Sequence, residues 1–278
     1  MDVQEISASL KLGPDGVWYS DQSEYISYPA DGNDACFEIE DRSFWFRHRN
    51  ECIVAAIRAH PPKENGPIFD IGGGNGFVSQ GLAASGFDVV LVEPGRSGAL
   101  NAKRRGVNVV ICATTETAGF KKSSLPAVGL FDVIEHVEDD YAFVSSMCEL
   151  LKSGGRLYAT VPAYSSLWSQ EDVEAGHFRR YTLGNFCRLL EGAGFGIEFS
   201  TYFFRFLPLP IALFRALPYR VGISRSQNGS GSAVRQHVVR RGLTSRVLDV
   251  FLRSEVRNIA QSKSMRFGGS CLVVARKL

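Results

Sequence analysis

The 278-residue chain lacks the paired cysteines and spaced histidines that mark a metal or redox protein. Its six cysteines (Cys36, Cys52, Cys112, Cys148, Cys187, Cys271) are scattered, with no Cys-x-x-Cys pair, and the five histidines show no ligand spacing with them. No metal is therefore expected, and reduced, buried thiols in a cytosolic protein are. Met1-Asp2-Val3-Gln4-Glu5 has neither a basic patch nor an apolar core, so no secretory signal is expected at this end. Long unbroken apolar runs are also missing. Residues 202–223 come nearest, but Arg205, Arg215 and Arg220 interrupt them, and Pro208, Pro210 and Pro218 would break a spanning helix. An interfacial segment or a lid over a substrate fits that stretch better. Acids are scarce in the last part of the chain. Residues 202–278 hold fourteen Lys and Arg against Asp249 and Glu255, a net of +12, which leaves −10 on residues 1–201. Either the basic part meets something anionic, or its arginines pair with the acidic body.

What the chain does have is one organising stretch, Pro67-Ile68-Phe69-Asp70-Ile71-Gly72-Gly73-Gly74-Asn75-Gly76. An apolar run ends in a carboxylate, a glycine cluster follows, and a helical pattern begins at Phe77. That order presents backbone N–H groups and a helix start to a ligand. A second apolar run, Asp88 to Val92, ends in Glu93, and an acid at that tip can accept both hydroxyls of a ribose. The dinucleotide fingerprint needs a third glycine where this chain has Phe77 or, counted from Gly74 and Gly76, Ser79. A nicotinamide oxidoreductase is therefore the disfavoured alternative.

The acid-x-Gly-x-Gly-x-Gly pattern from Asp70 to Gly76 resembles the first motif of the class I S-adenosylmethionine-dependent methyltransferases. Val107 to Cys112 reads as a third strand and Val128 to Val137 as a fourth and its exit, where Glu135-His136-Val137 resembles their ubiquinone-biosynthesis O-methyltransferase branch. The resemblance covers residues 40–200 and the last strand. It implies a doubly wound, mostly parallel α/β sheet of seven strands, a Rossmann-like fold. It implies S-adenosyl-L-methionine as cofactor and S-adenosyl-L-homocysteine as product. On the same ground Asp70, Gly72, Gly74, Gly76, Glu93 and Pro94 belong to the cofactor site, Thr115 lies near the adenine, and Phe131 and Asp132 lie beside the methionine part. Arg49, on the helix opened by Phe44-Trp45-Phe46, is the candidate for the methionine carboxylate; a plain surface arginine is the alternative reading. Thr114 and Glu116 are further candidates near the adenine, though either threonine could simply cap a helix.

The rest of the chain falls around this centre. Residues 1–40 read as an irregular lead-in with a short strand pair near Val17-Trp18-Tyr19, and 41–203 as the catalytic domain. A helix from Asp139 to Leu151 should end at Ser153-Gly154-Gly155, before a strand from Arg156 to Val161. The loop from Tyr164 to Tyr181 lies beyond the C-terminal end of that strand, where such sheets carry chemistry. It holds His177, with Glu171 and Asp172 able to orient its ring. His177 is the candidate general base, ahead of His136, whose better role is holding a helix start. Equally, His177-Phe178-Arg179-Arg180-Tyr181 could only tie the loop down. Residues 204–266 read as a basic, apolar insertion. It includes the flexible linker Gln227–Ser232 and an amphipathic helix from Leu243 to about Gln261, with Val247, Leu248, Phe251 and Ile259 on its apolar face. Residues 267–278 close the sheet.

The expected activity is methyl transfer to a small or amphiphilic acceptor, a hydroxyl oxygen above all. The acceptor is a small molecule or lipid-linked, and contact with a membrane surface would follow from the basic, apolar insertion. An RNA-binding methyltransferase using that basic part is the other alternative. The chain lacks the Asn/Asp-Pro-Pro-Tyr signature of base amino-methyltransferases, and arginines spread through apolar segments make no stacking groove, so nucleic acid is not expected.

Overall fold

In the computed structural model the described residues are 3–21, 37, 39–63, 66–222 and 243–278, with side chains in the last segment from 248 onward. Their elements run α1 (Val3–Ile6), β1 (Leu10–Leu12), β2 (Trp18–Ser20), α2 (Phe44–Ala59), β3 (Ile68–Ile71), α3 (Phe77–Ala84), β4 (Val89–Val92), α4 (Arg96–Arg104) and β5 (Val109–Cys112). There follow β6 (Leu125–Phe131), α5 (Asp140–Leu150), β7 (Leu151–Pro162), α6 (Gln170–Ala175), α7 (Leu183–Gly192) and β8 (Phe195–Phe203). The last are α8 (Pro208–Ile211), a π-helical turn (Ala212–Ala216), α9 (Leu217–Arg220), α10 (Leu243–Ala260) and β9 (Ser270–Lys277). The linker read over Gln227–Ser232 and the side chain of Val247 lie outside the described residues.

Nine strands form one sheet in the order β1-β2-β5-β4-β3-β6-β7-β9-β8. The six from β2 to β7 are parallel, while β9 runs antiparallel between β7 and β8. This is the doubly wound arrangement expected, with the last strand beside β7, but with nine strands instead of seven. The two extra are β1 and β2, the short strand pair expected in the lead-in near Val17-Trp18-Tyr19, here joined to the sheet. Trp18 and Tyr19 of β2 pair with Ile111 and Cys112 of β5, which covers an edge that would otherwise expose unpaired backbone. Every residue of β3 and β6 is buried, as strands covered on both faces must be.

Two boundaries differ from the sequence reading for identifiable reasons. Helix α5, capped by the Asp139 side chain on Ala142 N–H at 2.9 Å, stops at Leu150, and β7 begins at once because Leu151 pairs with Leu125. Ser153-Gly154-Gly155 is thus an irregularity within the strand and no helix cap; Gly154 has φ +73°, and a side chain on Gly155 would crowd the Pro126 carbonyl at 3.0 Å. The three prolines of 208–218 do not prevent a helix either. Pro208 and Pro210 sit in the first turn of α8, where missing N–H groups cost nothing. The π-helical turn, with Leu217 N–H donating to Ala212 C=O, shifts the ladder just ahead of Pro218, which has no N–H to give. No helix among the described residues is long and apolar enough to cross a membrane.

Helix α10 buries Leu252, Glu255 and Ile259 against α2 and the end of β8, with Leu248 and Phe251 half-buried and Val250 exposed. Its inward face therefore includes Leu252 and a carboxylate, neither of which the apolar pattern had picked out.

Candidate functional site

Strands β5, β4, β3 and β6 are neighbours, so their C-terminal ends bring four predicted groups to one edge. β3 ends in Ile71 and delivers the glycine loop. Gly72, Gly74 and Gly76 take φ of +69°, +52° and +77°, values that L side chains adopt poorly. Gly72 and Gly74 are half-buried, a side chain at Gly72 would meet Val133 at 2.8 Å, and the neighbouring Asn75 is buried. Asn75 is held by Glu40, which also receives Arg105 at 2.7 Å, so the end of the lead-in clasps the loop from below.

Asp70 is 1% exposed and accepts from Ser79 Oγ at 2.6 Å. Burial pushes its carboxyl up to about 6, against the pull of the Ser79 hydrogen bond. Glu93 ends β4 and accepts Gly74 N–H at 2.9 Å and Gly95 N–H at 2.7 Å, one on each oxygen. It thus sets the shape of the loop and of Pro94 beside it, and each oxygen keeps a second lone pair. Burial raises Glu93 to about 7, opposed by those two amides. At the tip of β5, Thr114 and Thr117 exchange hydrogen bonds in a turn rather than capping a helix, and the buried Thr115 donates to Glu116 at 3.0 Å.

At the end of β6, Asp132 adopts φ +57°, a left-handed conformation that aspartate tolerates better than most residues. It is fixed by Thr160 Oγ1 at 3.1 Å and by Arg49 Nε at 2.5 Å. Arg49 also donates to the Phe131 carbonyl at 2.6 Å and is nearly buried, so it is no plain surface arginine. The structure thus joins Arg49, Phe131 and Asp132 in one cluster.

Beyond it lies a second group. His177 Nδ1 donates to Asp172 Oδ1 at 2.9 Å; Arg180 holds the same carboxylate at 2.6 and 3.0 Å. Burial alone would raise Asp172, but the His177 and Arg180 hydrogen bonds outweigh it and hold the carboxyl down to about 2. Of the two acids offered by the sequence, Asp172 orients the ring, and Glu171 instead pairs with Arg215 at 2.5 Å. The His136 and His177 rings meet edge to face at 4.7 Å. Burial, helped by His177, lowers His136 to about 4. Glu135 is buried, its carboxyl pushed well above the usual range by burial and by Asp132, and its Oε2 finds no hydrogen-bond partner among the described residues. Donor atoms of Glu135, His136 and His177 lie within 4.8 Å of one another, a spacing one divalent cation could bridge. Spacing in sequence hid this trio, since His177 lies on another loop; it is held there by Phe178 N–H donating to Glu135 C=O at 2.8 Å.

Residues 45–198 match the family described as a methyltransferase domain. A ubiquinone biosynthesis O-methyltransferase of Agrobacterium fabrum is 30% identical over 107 residues, 37% of this chain and 43% of that protein. The match spans at most half the length of the curated relatives. Among solved structures, a SAM-dependent methyltransferase of Thermotoga maritima is 16% identical with a TM-score of 0.52, covering 90% of this chain and all of that one. Phosphoethanolamine N-methyltransferase 2 of Haemonchus contortus, in complex with S-adenosyl-L-methionine, is 19% identical with a TM-score of 0.52, covering 90% and 57%. At such identities the likeness is one of fold.

Proposed function

The chain belongs to the methyltransferase-domain family, and from that premise we propose that it transfers the methyl group of S-adenosyl-L-methionine to an acceptor hydroxyl, releasing S-adenosyl-L-homocysteine. The carrying observation is the convergence, at one sheet edge, of the half-buried glycine loop, the Glu93 carboxylate tied to it at 2.9 Å, and the Arg49–Asp132 pair. When bound, the cofactor supplies an activated methyl on a sulfonium, so alignment of the acceptor contributes most of the catalysis. Glu93 accepts the ribose hydroxyls, and Asp70 braces the loop through Ser79. Pro94 and Thr115 border the adenine, while Arg49, Phe131 and Asp132 flank the methionine end.

His177 is the base in this reading. With Nδ1–H engaged by Asp172, its Nε2 is left as the acceptor that can take the hydroxyl proton. The pairing of an imidazole with a buried carboxylate supports an acceptor that must lose a proton, and the likeness to O-methyltransferases favours a hydroxyl as that acceptor.

The acceptor is proposed to be amphiphilic and presented at an anionic membrane surface. Leu209, Leu213, Phe214, Leu217 and Val221 are all at least half exposed along α8, the π turn and α9, and such contiguous apolar surface marks a contact site. Arg215 to Glu171 and Arg220 to the Ser166 carbonyl tie this helix to the loop that carries His177. The net +12 of residues 202–278 suits anionic headgroups, each Lys or Arg contributing about 1 kcal/mol near the surface. In vesicle sedimentation the protein should bind anionic vesicles, release with salt, and lose binding in Phe214→Glu. Formation of S-adenosylhomocysteine should be faster with a vesicle-borne phenol than with a water-soluble one. Equal partitioning into neutral vesicles, or equal rates on both phenols, would contradict the surface reading.

A further inference from the structure

Helix α10 carries one of the two acids of the basic part of the chain into the interior. Glu255 has no exposed surface, and three donors meet it. His48 Nε2 of α2 lies 2.8 Å from Oε2, Phe204 N–H 3.0 Å from the same oxygen, and Arg205 N–H 2.8 Å from Oε1. A buried carboxylate short of partners is severely unfavourable, so each donor is held where the carboxylate needs it. The two successive N–H groups point to one anion because Phe204 takes a left-handed φ of +58°, a turn that shapes a small anion-binding nest. Non-glycine residues keep that conformation only where their surroundings hold them.

Two of these anchored groups, His48 and Phe204, lead to Arg49. His48 immediately precedes it on α2. The Phe204 ring stacks on Trp45, with centroids 5.6 Å apart and planes 6° from parallel, and the Arg49 guanidinium lies 5.5 Å from the centre of that indole. Arg49 then reaches Asp132 and the Phe131 carbonyl. A continuous set of contacts thus runs from α10, in the segment read as a separate insertion, to the methionine end of the cofactor cleft.

We propose that Glu255 is a positioning residue for cofactor binding: by holding His48 and the Phe204–Arg205 backbone it sets the place of Arg49. The inference rests on the reading that Arg49 meets the cofactor. It makes α10 part of the cofactor site rather than a detachable cap.

A double-mutant cycle read by calorimetry with S-adenosylhomocysteine tests it. Glu255→Gln should weaken binding at least about fivefold, and Arg49→Met should weaken it too. The double variant should be no weaker than Arg49→Met alone, because neighbours acting through one group are not additive. Additive losses would mean that Glu255 serves the fold only and would overturn the proposal, as would unchanged affinity in Glu255→Gln. Unchanged affinity in Arg49→Met would instead remove the underlying reading of Arg49, and the proposal with it. Should Glu255→Gln fail to fold, the other partner serves. His48→Gln keeps a donor and should recover most of the affinity that His48→Phe loses; equal affinity in the two would reject the role.

Discussion

His177→Ala is expected to lower turnover by about 10²–10⁴-fold, the range for a lost general base, while leaving the affinity for S-adenosyl-L-methionine alone. The reason is geometric. The ring is fixed by Asp172 at 2.9 Å, and Asp172 is in turn locked by Arg180, so the imidazole is aimed without touching the glycine loop. Asp172→Asn should give a smaller loss, since the ring remains but its tautomer is no longer enforced. Steady-state kinetics and calorimetry separate the outcomes. If turnover holds and only the acceptor's half-saturation rises, His177 positions substrate. Because Glu135, His136 and His177 could bridge a cation, the same kinetics should be run after chelation. Unchanged turnover fits the base, whereas loss restored by a divalent ion would assign the trio to metal.

The second large effect belongs to Glu93. Glu93→Ala should weaken cofactor binding by the energy of hydrogen bonds to a charged acceptor, about 1.5–3 kcal/mol, roughly 10- to 150-fold in affinity. Glu93→Gln, which keeps one acceptor oxygen, should lose less. The raised carboxyl adds a pH signature. Its value in the fold, about 7, lies above the ordinary 4.5, so the neutral form is favoured in the cofactor-free protein. That contribution to stability is fully present below pH 4.5 and is lost as pH rises through 7. Cofactor affinity should run the other way and fall as pH drops below 7, since an ionised Glu93 is the better acceptor for two hydroxyls. Unchanged affinity in Glu93→Ala would sink the ribose assignment.

The cofactor edge was legible in the sequence because its signals are local. An acid, three glycines with positive φ and a second acid at the next strand tip are encoded within Asp70–Glu93, and the fold leaves them adjacent. Thr182 is of a residue type that caps helices, and it caps α7 by accepting from Asn185 N–H. What could not be read depends on partners far along the chain. Glu255 appears as one acid in a basic helix, and its donors, His48, 207 positions away, with the Phe204 and Arg205 N–H groups, explain why it is buried. The β2 pairing with β5 and the start of β7 at Leu151 are likewise settled by a neighbouring strand, not by the residues themselves. The choice between Glu171 and Asp172 required the position of Arg180.

The central claim is that the glycine loop, Glu93 and Arg49 together form a site for S-adenosyl-L-methionine. Calorimetric titration of the whole chain with S-adenosyl-L-methionine and, separately, with NAD tests it most directly. The account predicts saturable one-to-one binding of S-adenosyl-L-methionine that Glu93→Ala weakens, and no binding of NAD. Binding of NAD with no heat from S-adenosyl-L-methionine would contradict it and return the loop to dinucleotide chemistry.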